Sequence, residues 1–252
     1  MNPNYLIHDE IYAQVKNAGL AGWGGNERMA RESEFIDRVF SINDVPTAGK
    51  LLELGCGEGH FSRRFAQLGY EVTGVDISAT AIQWAKEKSL SMKIPGQFYV
   101  ADLTQPPLEF LESYDVIIDG NCLHCIIGDD RQTFLHLVYT LLASDGVFFV
   151  SSLCAKDDQN HYISKAGFAY RHIPSVNHLL AELSSVGFDV LSVNVYEREQ
   201  YNHITVHLKN KHLAPKSLSQ VSSLAFYHLI AIPVLAFSLG MFLCCNRHFY
   251  LQ

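Results

Sequence analysis

The sequence predicts a doubly wound α/β fold built on a mostly parallel sheet. From residue 50 onward, short apolar runs alternate with longer segments of helical periodicity, which is the pattern of βαβ units. Residues 147–150 are all apolar, as is typical of a strand buried on both faces. With 252 residues, of which 48% are hydrophobic, the chain can fill one such domain and an additional segment.

The alternation predicts seven strands, at residues 51–54, 71–77, 97–101, 114–119, 147–152, 189–196 and 202–208. It predicts helices at residues 26–40, 59–68, 79–88, 130–142 and 175–185. The last two strands are joined by the short polar turn 197–201. Because so short a connection can only join antiparallel strands, we expect a seven-stranded sheet with an antiparallel terminal strand.

Changes in composition divide the chain into four segments. They are an N-terminal helical lid or cap (1–49), the α/β domain (50–211), a linker (212–223) and a C-terminal hydrophobic helix (224–245). Trp23 lies between glycines in the first segment, where it suits either a mobile lid that excludes water or a plug that covers the sheet edge.

The segment 224–245 has 22 residues without a formal charge, about the length that crosses a bilayer as a helix. Lys209, Lys211 and Lys216 precede it and only Arg247 follows. The sequence therefore predicts a single-pass, C-terminally anchored membrane protein with its α/β domain on the cytoplasmic side. A hydrophobic oligomerisation helix is the alternative, and the oligomeric state is not predicted.

The charge balance argues against a polyanionic partner. The chain carries 19 basic and 26 acidic residues, a formal net charge of -7, so we expect no nucleic-acid partner. Its six cysteines are scattered and its first residues are polar rather than apolar. These features predict reduced thiols in a cytoplasmic domain.

A glycine-rich loop follows the first strand, at residues 53–61. Glycines there allow a sharp turn and close approach of the backbone to a ligand. A dinucleotide-binding fingerprint has glycines at its first, third and sixth positions. Gly55 and Gly57 fit the first two, but the sixth position is His60. Glu53 would repel a pyrophosphate, whereas the cationic groups of S-adenosylmethionine favour an acidic surround. The loop therefore favours S-adenosylmethionine over a nicotinamide cofactor.

Two more acids stand at the ends of the next two predicted strands. Asp76 ends the second strand, where a carboxylate can accept hydrogen bonds from both hydroxyls of a ribose. Asp102 follows the third strand, where its carboxylate can accept from the exocyclic amine of adenine. Acids at three successive strand ends, with Glu53, are a more specific signal than the glycine loop alone.

The run LLELGCGEGHFSRRFAQLGYEVTGVDIS, followed by AIQWAKEK and VADL, resembles the class I S-adenosylmethionine-dependent methyltransferase family, over about residues 50–209. The resemblance implies that Asp76 binds the ribose and that Ile77 and Leu103 pack on the adenine. It also implies a seven-stranded sheet whose last strand is reversed. In the family the backbone of the glycine loop contacts the methionine moiety, which here implies Gly55, Cys56 and Gly57.

The acceptor is expected beyond the carboxyl ends of the fourth and fifth strands, at residues 119–125 and 151–154. His124 is a candidate general base or acceptor-orienting group, and the alternative is a histidine packed on its loop. Asp119 could receive the cofactor's ammonium group or cap the following turn. Methyl transfer depends chiefly on positioning, so a base is needed only when the nucleophile must lose a proton.

Four cysteines follow strand ends, so the fold would bring their thiols toward one face: Cys56, Cys122, Cys125 and Cys154. A thiol-binding metalloid or a structural metal is conceivable there. Buried cysteines are more often small hydrophobic residues, and no paired spacing supports zinc, so no metal is predicted.

The sequence predicts an enzyme that transfers a methyl group from S-adenosylmethionine to a small-molecule acceptor. The acceptor itself is not identifiable from the sequence. The alternative is a non-catalytic S-adenosylmethionine-binding sensor or partner module at a membrane. A nicotinamide dehydrogenase is disfavoured by Glu53 and His60.

Overall fold

A computed structural model describes residues 3–106, 108 and 112–211. In this part of the chain, seven strands form one sheet in the order β3-β2-β1-β4-β5-β9-β8, and a separate hairpin pairs β6 with β7. The strands are β1 Lys50–Leu54, β2 Glu71–Asp76, β3 Gln97–Val100, β4 Tyr114–Gly120, β5 Leu142–Cys154, β6 His161–Lys165, β7 Phe168–Ile173, β8 Phe188–Tyr196 and β9 Asn202–Asn210.

Helices cover both faces of the sheet. They are α1 Ile7–Asn17, α2 Gly25–Ala30, α3 Glu32–Val39, α4 His60–Gln67, α5 Ala79–Met92, α6 Asp130–Leu141 and α7 Val176–Val186, with a 3₁₀ turn at Leu123–Cys125. On one face, α3 and α4 pack on alternate residues of β1 and β4, such as Leu51 and Val116. On the other face, α6 and α7 pack on the intervening residues, such as Leu52 and Ile117. This division follows from the two-residue period of a strand.

Local sequence signals set several helix ends. The Oγ atoms of Ser78 and Ser175 accept hydrogen bonds from Ala81 N and His178 N, and so cap the N-termini of α5 and α7. Gly187 directly follows helix α7. Its φ of 114° lies outside the right-handed region and so ends the helix.

The sheet confirms the predicted fold class and its antiparallel terminal strand. β1 to β5 are parallel neighbours, and β9 runs antiparallel to both β5 and β8. The predicted helix at 26–40 is instead two helices, α2 and α3. The prediction also omitted α1 and the β6–β7 hairpin, and both of these elements line the site described below.

The predicted linker 212–223 and hydrophobic helix 224–245 lie outside the described residues. Within residues 3–106, 108 and 112–211, none of the helices has the length and apolar character required to span a membrane.

Candidate active site

A cavity of about 820 Å³ opens at the carboxyl ends of the parallel strands. Its wall includes Gly55 after β1, Asp76 at the end of β2, Asp102 after β3, His124 after β4 and Leu153 in β5. This is the crevice where open α/β sheets bind their ligands. Its volume is at the upper end of the range of about 300–1,000 Å³ that holds a drug-sized molecule.

The glycine loop makes a cradle whose backbone angles and close contacts favour glycine. Gly55 and Gly57 have φ angles of 66° and 57°, in the left-handed region that disfavours side chains. A Cβ on Gly55 would lie 2.8 Å from the Cβ of Cys122, and one on Gly57 would lie 2.1 Å from Tyr12 Oη. The loop backbone thus approaches two other walls of the cavity closely.

The Asp76 carboxylate is held in place at the cavity wall by backbone donors. Its Oδ2 accepts from Gly57 N at 2.9 Å and its Oδ1 accepts from Ser78 N at 2.9 Å. The side chain is only 6% exposed, yet it lines the cavity together with Ile77. The carboxylate is therefore fixed in orientation before any ligand binds.

Asp102 and Leu103 form the neighbouring part of the wall. The Asp102 Oδ1 accepts from the backbone N of Thr104 at 2.9 Å and from its Oγ1 at 2.7 Å. Oδ2 accepts from Gln105 Nε2 at 2.9 Å. Two further predicted cofactor residues, Asp102 and Leu103, therefore meet Asp76 in one cavity.

Glu53 and Cys56 support the loop from behind. Glu53 is 1% exposed and accepts a short hydrogen bond from Ser62 Oγ. The Cys56 side chain packs among Ile82 and Phe98, and burial raises the pKa of its thiol. Glu53 and the Cys56 side chain thus support the shape of the glycine loop. The cofactor contact predicted for Cys56 involves its backbone atoms, not its thiol.

Asp119 is fully buried at the end of β4. Its Oδ1 accepts from the backbone N atoms of Cys122 and Leu123, at 2.6 and 2.9 Å. Burial raises the pKa of this carboxyl group to about 7. This geometry favours the turn cap, the second of the two roles predicted for Asp119, over contact with the ammonium group of the cofactor.

A family model described as "Methyltransferase domain" matches residues 47–212, which include every strand described above. The chain belongs to the class I S-adenosylmethionine-dependent methyltransferases. An uncharacterized methyltransferase of Schizosaccharomyces pombe is 33% identical over 100 residues, which are 40% of this chain and 68% of the relative. The eEF1A lysine and N-terminal methyltransferase of Bos taurus is 32% identical over 122 residues, 46% of this chain but only 17% of that protein.

Solved structures show the same fold at low identity. A Burkholderia thailandensis 1,6-didemethyltoxoflavin-N1-methyltransferase, with its substrate and S-adenosylhomocysteine bound, has a TM-score of 0.62 at 17% identity. The match covers 80% of this chain and 84% of that one. An S-adenosylmethionine-dependent methyltransferase from Clostridium acetobutylicum has a TM-score of 0.59 at 16% identity, covering 82% and 99% of the two chains.

The residues of this methyltransferase fit its cofactor, S-adenosylmethionine. At Gly55, which has no side chain, a ligand could contact the backbone directly. The fixed carboxylate of Asp76 has oxygen atoms that can accept hydrogen bonds from ribose hydroxyls. Ile77 and Leu103 offer apolar contacts beside Asp102 for an adenine ring.

His124 lies in the cavity wall, on the 3₁₀ turn after β4. Its Nε2 receives a short hydrogen bond from Arg171 Nη1, and its Nδ1 lies 3.4 Å from both Ser152 Oγ and Leu153 N. Burial and the Arg171 charge hold the pKa of the imidazole well below its usual value. His124 is therefore neutral, and its nitrogens are occupied by the protein, which favours an orienting role over that of a general base.

Asn121 lines the cavity within the predicted acceptor segment 119–125, although the sequence predicted no individual role for it. It has a φ of 73°, which is unusual for a residue other than glycine. Its Oδ1 lies 3.1 Å from His203 Nε2, which also lies 3.3 Å from Ser151 Oγ. Burial lowers the pKa of His203 to about 4, so a neutral histidine on β9 holds this strained residue at the end of β4.

The N-terminal segment closes the remaining side of the cavity. Asp9 Oδ1 on α1 accepts from Ser78 Oγ and Thr80 N, at 2.7 and 2.8 Å. Tyr5 donates to Asp130 Oδ2 at 2.8 Å and accepts from Ile127 N at 3.1 Å. The segment thus contacts both the cofactor half and the opposite half of the site.

Trp23 also lines the cavity and makes an edge contact with Tyr12, with ring centroids 5.0 Å apart. Trp23 therefore covers part of the site. That the N-terminal segment opens as a lid remains a prediction from the sequence.

Two of the cysteines come close to the active-site wall and two are structural. Cys122 and Cys125 line the cavity, whereas Cys56 and Cys154 are buried in the core. Burial raises the pKa of Cys122 and brings that of Cys125 to about 11, so both are neutral thiols near pH 7. In the described part of the chain, no three residues of the metal-binding types cluster to hold an ion.

Proposed function

We propose that this methyltransferase methylates a small molecule that binds in the cavity beside the cofactor. One observation carries the proposal: a single cavity of about 820 Å³ joins the cofactor wall at Asp76 and Asp102 to a second wall built by the β4 loop, β7 and α1. The second wall contains His124 and Arg171, which the cofactor contacts described above do not use.

When bound, S-adenosylmethionine would supply an electrophilic methyl group to a lone pair of the acceptor, and S-adenosylhomocysteine would be the leaving group. The chain contributes position and water exclusion, which account for much of the rate in such a displacement. Asp76 and the glycine loop would hold the cofactor. Asn121, held by His203, lies at the end of β4 where the acceptor would be presented.

We propose an orienting role for His124. Arg171 Nη1 donates to Nε2, and the backbone N of Leu153 donates to Nδ1 at 3.4 Å, so protein donors face both ring nitrogens. A histidine in this state has little capacity to take a proton from the acceptor. An acceptor whose nucleophilic atom has a free lone pair at neutral pH without losing a proton, such as an aromatic amine or a heteroaromatic ring nitrogen, suits this site best.

The cofactor site can be tested by calorimetric titration of the full chain with S-adenosylmethionine and S-adenosylhomocysteine. Asp76→Ala should weaken binding by at least about tenfold, because it removes a charged acceptor of hydrogen bonds. Asp115→Ala is a matched control, since Asp115 Oδ2 also accepts a backbone hydrogen bond, from Lys50 N at 2.8 Å, beside a different strand end. Equal affinities for the wild type and Asp76→Ala would contradict the assigned site.

The acceptor can be sought with methyl-labelled S-adenosylmethionine and fractionated small-molecule extracts. Transfer of label to a compound below about 1,000 Da would support the proposal. Label transferred only to protein or nucleic acid would overturn it.

We also propose, from the sequence, that residues 224–245 anchor the enzyme in a membrane with the methyltransferase domain on the cytoplasmic side. The full chain should float with liposomes and resist extraction at alkaline pH, whereas residues 1–215 should not. A full chain that stays with the soluble fraction in both assays would rule out the anchor.

A further inference from the structure

The hairpin β6–β7 brings a guanidinium group to the cavity. Arg171 lies on β7, opposite Ile163 on β6, and both residues line the cavity. Its Nη1 donates to His124 Nε2 and lies 3.2 Å from Cys125 Sγ, while its Nη2 lies 3.3 Å from Tyr170 Oη. All three partners are uncharged groups at neutral pH, because burial depresses the pKa of His124 and raises those of Cys125 and Tyr170.

Within the described residues, Arg171 makes no ion pair. Acids on the same cavity wall are held elsewhere, Asp102 by its own loop and Glu34 by Arg38. A partly buried cation that contacts only neutral groups lacks the compensation that buried charges ordinarily have. Arg171 is therefore a local positive charge on the cavity wall.

The donor geometry of Arg171 matches a planar anion. A guanidinium has five N–H donors in a rigid fork. The contacts with His124, Cys125 and Tyr170 involve Nη1 and one Nη2 hydrogen. The Nε hydrogen and the second Nη2 hydrogen have no acceptor among the described residues. Nε and Nη2 stand on the same side of the guanidinium, and that side can bind a carboxylate through two parallel hydrogen bonds.

Aromatic rings lie beside this group. The Arg171 guanidinium carbon is 4.6 Å from the centroid of the Tyr170 ring. Tyr170 stacks on His8 with centroids 5.4 Å apart at 19°, and His8 lies 5.8 Å from Trp23. Such a wall favours a flat apolar body next to the charged end of a ligand.

We propose that the methyl acceptor is an aromatic carboxylate, whose carboxylate group is bound by Arg171 and whose ring lies against His8 and Trp23, which both line the cavity. The inference rests on the proposed function and names the class of its substrate. The cationic site is local, because the chain as a whole carries a net charge of -7. A second cation, Lys165, lies 5.2 Å from the Tyr170 ring and adds to the same local field.

Ligand-observed NMR on the full chain, saturated with S-adenosylhomocysteine, can test the proposal with a matched pair of probes. The probes are 4-hydroxyphenylacetate and its uncharged analogue 4-hydroxyphenylacetamide. The wild type should bind the acid about tenfold or more tightly than the amide, because only the acid makes charge-assisted bonds with the fork. Arg171→Gln should abolish this preference, and Arg171→Lys should retain part of it.

Arg198→Gln is the control, because it removes another guanidinium from the cavity wall, in the turn between β8 and β9. The preference for the acid should persist in this variant. An equal affinity of the wild type for acid and amide, or a preference that persists in Arg171→Gln, would overturn the proposal. Thermal melting of each variant checks that the domain remains folded.

A third comparison separates acceptor binding from cofactor binding. If Arg171 instead binds the carboxylate of the cofactor, Arg171→Gln will weaken S-adenosylhomocysteine but not 5′-methylthioadenosine, which has no carboxylate, and the proposal fails. If the wild type does not bind S-adenosylhomocysteine, the proposed function fails, and the acid–amide comparison without cofactor still decides whether Arg171 forms an anion site.

Discussion

Replacing Gly57 by alanine tests the close approach between the glycine loop and helix α1. The new Cβ would lie 2.1 Å from Tyr12 Oη and 3.0 Å from its Cζ, so the tyrosine ring must move. The φ of 57° adds backbone strain of about 1–2 kcal/mol. Overpacking adds about 1–3 kcal/mol. We expect the free energy of unfolding in urea to fall by the sum of the two.

Gly19→Ala is a matched control for the strain alone. Gly19 has a φ of 69°, and a Cβ there would meet nothing within 4 Å. We expect it to lose only about 1–2 kcal/mol and to leave cofactor affinity unchanged. Gly57→Ala should weaken S-adenosylmethionine at least about tenfold in calorimetry, because Tyr12 and Asp76, which Gly57 N contacts, both line the cavity.

Adding Tyr12→Phe to Gly57→Ala should recover part of the stability, because it removes the atom at 2.1 Å. If Gly57→Ala and Gly19→Ala lose equal stability and bind the cofactor equally, the reasoning about the close approach is refuted.

Three further predictions concern buried polar groups. Ser78→Ala and Ser175→Ala each remove a helix cap and should each lower the free energy of unfolding in urea by about 1 kcal/mol. Only Ser78→Ala should also weaken cofactor binding, because the Ser78 hydroxyl group holds α1 as well. Burial raises the pKa of Asp119 from 3.8 to about 7, so the folded state retains a proton that the unfolded state releases, and stability falls as pH rises from 4 to 7. The stability of Asp119→Asn relative to wild type should therefore increase across that range, and a constant difference would contradict the assignment. Arg131→Met leaves Glu182 buried without its ion pair and should cost about 3–5 kcal/mol. The double variant with Glu182→Leu should recover only part of that loss, because Leu123 O and Ile126 O still lack their donor.

Much of the fold could be predicted because its signals are local. Four parallel strands, β1, β2, β4 and β5, are mostly buried on both faces, so they read as short apolar runs. The short turn 197–201 forces the antiparallel pair. The hairpin β6–β7 carries no such signal, because β6 alternates partly exposed and exposed residues over only five positions. Helix α1 buries only Ile7 and Tyr12, so its apolar face is too narrow to stand out.

The cofactor wall was more predictable than the acceptor wall for a similar reason. Asp76 and Asp102 each follow a strand within one βαβ unit, so their meeting depends only on the order of parallel strands. Arg171 contacts His124 only because the β6–β7 hairpin carries it there, and no hydrophobic periodicity in the sequence indicates where that hairpin lies. His203 reaches Asn121 only because β9 lies beside β5. Contacts that depend on tertiary placement of irregular segments are not encoded in a local pattern.

The position of β9 has a consequence for synthesis on the ribosome. Among the described strands β9 is the last to emerge, yet it lies inside the sheet between β5 and β8. Until it arrives, β5 has an unpaired edge that includes Phe148, Phe149 and Val150, all later buried. An apolar edge of this kind is prone to pair with other chains. A nascent chain stalled before residue 202 should therefore engage chaperones, and release should follow once the β8–β9 hairpin has closed the sheet.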